Sequence, residues 1–179
     1  MTLNINLYAG PGVGKSVTMA NLFVALKLRG IHCEMVPEFA KELQYDGVLL
    51  TTPQLRIVRE QLRRQSRLQG HAEVVVTDSP VPLSLPYSPR PARDRLERIV
   101  RKETAGWTCL NLLLHRDLDE GYETKGRYQD KEGAKSFHRD VMVPFVKEYH
   151  GADVVELHVE AVLPWVLDYL ERREERRAA

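Results

Sequence analysis

The segment Ala9-Gly10-Pro11-Gly12-Val13-Gly14-Lys15-Ser16 joins an apolar run, residues 3–8, to an amphipathic stretch that opens near Lys15 and stops at Gly30. A turn this rich in glycine passes from extended chain to helix with almost no slack, so residues 3–30 are committed to a strand–turn–helix unit. A strand followed by a helix returns to a parallel neighbour, because antiparallel strands need only a short hairpin. The rest of the chain repeats the alternation. Residues 31–36 read as a second strand ended by Pro37, and 38–47 as helix or turn. A helix capped by Thr52, with Pro53 in its first position and Leu55, Val58 and Leu62 on one face, fades at Gly70. The run 74–77 is a buried strand by its β-branched content. Pro80, Pro82, Pro86, Pro89 and Pro91 forbid regular structure until a charged helix over 92–104. A fourth strand over 107–114, a polar segment over 115–129, a helix from Asp130 towards Tyr149, a fifth strand over 153–159 and a final helix complete the pattern. The expected fold is α/β: a doubly wound, five-stranded, mainly parallel sheet forming one domain over residues 1–179, a length suited to a single core.

The same octapeptide is a Walker A loop with alanine in place of the first glycine. Backbone N–H groups from Gly10, Pro11's neighbours, Gly12, Val13, Gly14, Lys15, Ser16 and Val17 are expected to wrap a polyphosphate, and side chains at Gly12 or Gly14 would obstruct it. Pro11, within the same loop, is counted with these as a nucleotide-binding position. The first helix aims its positive end at the anion. Lys15 is expected on the β- and γ-phosphates and the Ser16 hydroxyl on Mg²⁺, which makes ATP and Mg²⁺ the expected ligands.

A phosphate loop alone fits switches, motors and kinases. Asp78, at the carboxyl end of the third strand, has the Walker B position and is a candidate for Mg²⁺ or for steering an acceptor, a role its pairing with Walker A favours over merely capping a turn before Pro80. Glu38 follows the second strand, where open α/β sheets place ligands, and could take a proton from an acceptor hydroxyl or simply favour a helix start.

Together the Walker A loop, Pro37-Glu38-Phe39-Ala40-Lys41-Glu42-Leu43, Thr77-Asp78-Ser79-Pro80 and Lys125-Gly126-Arg127-Tyr128-Gln129 resemble the small P-loop kinases of the AAA_28 type, along residues 3–159. That group includes the ribosylnicotinamide kinase domain of bacterial NadR proteins and many bacteriophage nucleotide kinases. The resemblance implies ATP as phosphate donor and a mobile lid over about 115–130, with Arg127 reaching the transferring phosphoryl group and Arg116 as a second candidate. Gly121 and Gly126 would supply hinges. A closing arginine suits the chemistry, since it stabilises the transition-state charge while excluding water.

The acceptor is expected to be a nucleoside-like hydroxyl. Asp78 is followed by Ser79-Pro80 and not by the arginine usual in nucleoside kinases, so that subfamily's acceptor contacts do not transfer. Arg56, Arg59, Arg63 and Arg67 recur at helical spacing, and Arg90, Arg93, Arg95, Arg98, Arg101 and Lys102 crowd a second segment. They are either solvated helix faces or tracks for phosphates. Phage relatives include kinases of 5-hydroxymethyluracil in DNA, the specific expectation here, with Tyr87, Tyr128 or Phe39 available to stack on a flipped base. A free nucleoside, nucleotide or ribosylnicotinamide acceptor is the alternative, and an NTP-dependent switch or regulatory module is the alternative of another class. A net charge of +1 argues against a uniformly basic coat. Cys33 and Cys109 match no ligand spacing and are expected as reduced core thiols. No run approaches a membrane span, so a cytoplasmic location without membrane partners is expected.

Overall fold

The computed structural model describes residues 1–116 and 130–178. Five strands, β1 (Leu3–Tyr8), β2 (Cys33–Val36), β3 (Val74–Thr77), β4 (Thr108–His115) and β5 (Val154–His158), form one sheet in the order β2-β3-β1-β4-β5. Every pairing is parallel, with β1 bonded to β3 on one edge and to β4 on the other. The expected α/β doubly wound architecture is therefore observed. Helices α1 (Lys15–Leu28), α2 (Phe39–Tyr45), α3 (Gln54–Ser66), α4 (Ala92–Thr104), α5 (Lys131–Phe137), α6 (Val143–His150) and α7 (Val162–Ala178) account for the intervening segments.

Strand side chains alternate between two cores. Leu3, Ile5 and Leu7 of β1 join Leu110, Leu112 and Leu114 of β4 beneath α1 and α7. Tyr8 and Leu113 face the other way, onto Val58 and Leu62 of α3, Val100 of α4 and Phe145 and Val146 of α6. On that second face β1 also carries two buried asparagines. Asn6 donates to Asn111 Oδ1 at 2.9 Å, Asn111 donates to the Asp153 carbonyl at 3.2 Å, and Asn4 donates to the Thr108 carbonyl at 3.2 Å. These bonds link the strands through side chains and satisfy groups whose burial would otherwise cost stability.

Local chemistry moved several boundaries. Thr52 does not cap α3: its hydroxyl donates to the Val48 carbonyl at 2.8 Å, and Pro53 occupies the cap position. The proline-rich loop, expected to be irregular, holds a 3₁₀ helix over Val81–Tyr87, because proline's fixed φ is compatible with that geometry. The single helix expected after Asp130 is broken by a π-helical turn, His138–Met142, between α5 and α6. Pro144, in the first turn of α6, has no N–H to give the preceding turn, which favours the wider spacing there. Asp130 caps α5 by accepting from the Gly133 N–H at 2.8 Å. Cys33 is buried as expected, whereas Cys109, at the start of β4, is exposed and is not a core thiol. Among the described residues no helix is long and apolar enough to cross a membrane.

Leu112 is fully buried in β4 at the centre of the first core. Leu112→Ala should lower the unfolding free energy by about 3 kcal/mol, the usual cost of a large-to-small change in a packed interior, read from urea denaturation.

Candidate active site

The carboxyl ends of β1, β2, β3 and β4 lead respectively into the glycine-rich loop, Glu38, Asp78 and Arg116, so the sheet brings four sequence-distant candidates to one edge. Gly12 and Gly14 have φ of 85° and 108°, left-handed values that a side chain would strain, and Gly14 stands at the N-terminus of α1. Val13 is fully buried and anchors the loop between them. Val17, one residue into the helix beyond Ser16, is 66% exposed. Lys15 folds back over the loop, its Nζ donating to the carbonyls of Ala9 at 2.9 Å and Gly10 at 3.0 Å. A guanidinium nitrogen of Arg116 lies 3.9 Å from where a Cβ on Gly14 would stand.

Ser16 and Asp78 meet directly. The serine Oγ donates to Asp78 Oδ2 at 2.5 Å, so Asp78 faces the phosphate loop and does not cap its own turn. Its other oxygen, Oδ1, is buried without a hydrogen-bond partner. A hard cation takes oxygen donors of this kind, and an orphaned carboxylate oxygen beside a serine hydroxyl fits Mg²⁺ held by one carboxylate, one hydroxyl, water and phosphate. Among the described residues no group of three or more His, Cys, Asp or Glu is placed to hold a metal. A magnesium site completed by phosphate oxygens does not need such a group.

Glu38 precedes α2 at φ −66° and ψ 120°, and its side chain makes no capping bond. Burial pushes its pKa up; Lys15 draws it back and Asp78 pushes it further up, so the three charges sense one another. Tyr87, whose own pKa is raised by burial and by Glu38, is about half exposed and stacks on Phe137 with ring centroids 4.9 Å apart. Phe39 lies under the Arg64 guanidinium at 4.8 Å. Arg127, Tyr128 and the hinge glycines Gly121 and Gly126 lie outside the described residues.

His138 gave no signal in the sequence. It opens the π-helical turn, and its Nδ1 accepts the Gly10 N–H at 3.0 Å. A Cβ on Gly10 would come within 2.7 Å of the His138 Cβ and 3.0 Å of its Cα. Gly10 is therefore glycine for close approach of two backbones. Burial, with help from His115 and Lys15, pulls the His138 pKa down to about 4, which keeps the ring neutral and Nδ1 able to accept.

No family model matches the chain and no curated protein sequence matches it. Solved structures do. A NadR protein in complex with NR superposes with a TM-score of 0.63 at 18% identity, over 87% of this chain. The chain spans 45% of that protein's length. Deoxyadenosine kinase from M. mycoides with bound dATP superposes with a TM-score of 0.60 at 11% identity, covering 96% of this chain and 100% of that one. The same kinase with the products dCMP and dCDP gives 0.55 at 12% identity, covering 96% and 99%. At such identities the likeness establishes a shared α/β fold.

Gly10→Ala should cost about 1–3 kcal/mol of stability through overpacking against the π-helical turn, measured by urea denaturation. Acid should weaken the fold as well. His138 and His150 both have folded pKa values of about 4 against an ordinary 6.5, so the unfolded chain takes up protons first. Their contribution is intact above about pH 6.5, erodes as pH falls towards 4 and levels off below it. His138→Asn should remove about 1–2 kcal/mol of the stability lost between pH 7.5 and 5, comparing denaturation curves of the two proteins.

Proposed function

We propose that this chain is an ATP-dependent phosphotransferase that moves the γ-phosphate onto a hydroxyl of a nucleoside-like acceptor. The observation that carries the proposal is the pairing of Ser16 with Asp78 beside the phosphate loop, with Glu38 on the adjoining strand end close enough to sense both Lys15 and Asp78. A switch needs the loop and the metal ligands, but it has no use for a second, unbonded carboxylate at the mouth of the site. The shared fold with NadR and deoxyadenosine kinase supports the same reading by analogy.

In this mechanism the loop amides and Lys15 hold the triphosphate, Lys15 exchanging the Ala9 and Gly10 carbonyls for phosphate oxygens. Ser16 and Asp78 would hold Mg²⁺, which would neutralise phosphate charge when bound. Glu38 accepts the acceptor's proton as its oxygen attacks. The new O–P bond forms while the bond from γ-phosphorus to the β,γ-bridging oxygen breaks, ADP leaves, and the proton remains on Glu38. Burial raises the basicity of that carboxylate, which suits the task. Arg116, beside Gly14, would stabilise charge that develops on the transferred group, and Arg127 is the candidate for closing over it.

A finer reading, that the acceptor is 5-hydroxymethyluracil in DNA, draws support from α3. Arg56, Arg59, Arg63 and Arg67 are all exposed along it, over roughly 16 Å of helix. A cavity of about 660 Å³ beside Phe39 is lined by Arg56, Arg59 and Arg63 together with Pro53 and Leu55. Cations over an apolar floor suit phosphate and base together. Glu60 tempers the face, pairing with Arg63 and Arg64 at 2.7 and 2.9 Å.

Radiolabelled ATP offered with a panel of free nucleosides and nucleotides and with hydroxymethylated DNA separates these outcomes. Transfer to DNA supports the finer reading, and label only in small molecules removes it. ADP release that no acceptor stimulates would favour a regulatory module. Lys15→Ala should abolish ATP binding, whereas Glu38→Gln should keep ATP affinity and lower kcat by about 10²–10⁴-fold.

A further inference from the structure

Two glutamines interrupt the apolar face of α3. Its buried residues are Ile57, Val58, Gln61, Leu62 and Gln65, and both glutamines are 1% exposed. A buried carboxamide is costly unless bonded, and a leucine would fill either place without that cost. The bonds these side chains make are specific. Gln61 Oε1 accepts the Phe39 N–H at 3.2 Å, and Gln61 Nε2 donates to the Pro37 carbonyl at 3.4 Å. Those two backbone groups flank one residue, Glu38. One helical turn further on, Gln65 Nε2 donates to the carbonyl of Ser79 at 3.1 Å, next to Asp78.

The sheet itself cannot hold the Glu38 turn. β2 is an edge strand, and its ladder with β3 ends where Val36 pairs with Thr77. The Val36 carbonyl is taken by the Thr77 hydroxyl at 2.8 Å, after which the chain leaves the sheet. Gln61 gives residues 37–39 the two bonds that a neighbouring strand would have supplied. Residues four apart on a helix lie on one face about 6 Å apart along the axis, so a single rigid element grips the turn of Glu38 and the turn of Asp78 together. Arg64 adds a surface tie between the same helices, bonding both oxygens of Glu42 at 2.7 Å.

We propose that Gln61 and Gln65 are positioning residues for phosphoryl transfer: α3 uses them to fix the separation between Glu38 and Asp78. The proposal rests on Glu38 acting as the base of the kinase reaction. Neither glutamine touches the reacting atoms. Their effect passes through the backbone of the residues they hold, so for Gln61, which holds the turn of Glu38, it falls on kcat and not on the binding of ATP, which the loop carries.

The test uses the full chain with an acceptor found in the screen. Gln61→Met keeps the length of the side chain and removes both bonds. It should lower kcat about 100-fold, the scale of an ångström's misplacement, with the KM for ATP unchanged. In a Glu38→Gln background the same change should cost nothing further, since the group it orients is gone. Gln61→Asn, which stays polar but loses reach, should behave like the methionine variant and covers the case where that one folds poorly. Hydrogen exchange at the Phe39 amide, read without acceptor, should speed up at least about tenfold in either variant while the melting temperature holds. Unchanged kcat, or equal losses with and without Glu38, would overturn the proposal while leaving the kinase reading intact. A wild-type chain that turns over no acceptor overturns the kinase reading first, and the catalytic purpose of the two glutamines with it.

Discussion

Hydrogen bonding of β1 along both edges is the constraint from which the site follows. Because β3 and β4 both pair with it, the phosphate loop leaves the sheet near its middle, with strand ends on either side of it. The loop then has strand ends on both sides of it: Asp78 from β3, Glu38 from β2 beyond it, Arg116 from β4. The strand order changes direction between β1 and β4, the position at which open α/β sheets form their ligand crevice. Moved to an edge, the same loop would keep its helix dipole but lose half of these partners.

The electrostatics of that edge are set by burial more than by charge pairing. Glu38 is held above the ordinary carboxylate range and His138 below the ordinary imidazole range, in both cases chiefly because water is excluded. One group is made more basic and the other is kept neutral beside the lysine. Ser16 and Asp78 are tied together, but one oxygen of Asp78 is left unpaired in the interior. Such a group costs stability in the free chain, and sites that bind cations commonly hold that cost in reserve.

Much of this was legible from residue types. Glycines at positions 10, 12 and 14, followed by Lys15-Ser16, announce a strand-to-helix turn, and the structure has one there. Asp78 and Glu38 were found because each follows an apolar run, and strand ends face one edge in a parallel sheet. Less visible were features that depend on packing between distant segments. His138 meets Gly10 only after β4 and α5 have been laid down, and nothing near residue 138 marks it. Gln61 and Gln65 look in the sequence like polar positions on a charged helix, because period alone does not separate a buried glutamine from an exposed one. The π-helical turn was hidden for the same reason: Pro144 signals a disturbance, but its form is settled by what lies opposite.

That wide turn has a further meaning for how the sequence tolerates change. A π-helical turn is an ordinary helix with one residue too many, absorbed locally. Deleting a single residue between positions 138 and 142 would let α5 and α6 merge into one regular helix, and helix geometry alone would favour it. Because the extra residue is absorbed within the turn, α5 and α6 would keep their faces, and what would be lost is the widened backbone from which His138 accepts the Gly10 N–H. The irregularity thus gains one close contact at the cost of a regular helix, and a chain without it would be tidier in α5 and α6 but would leave the Gly10 N–H to find another acceptor.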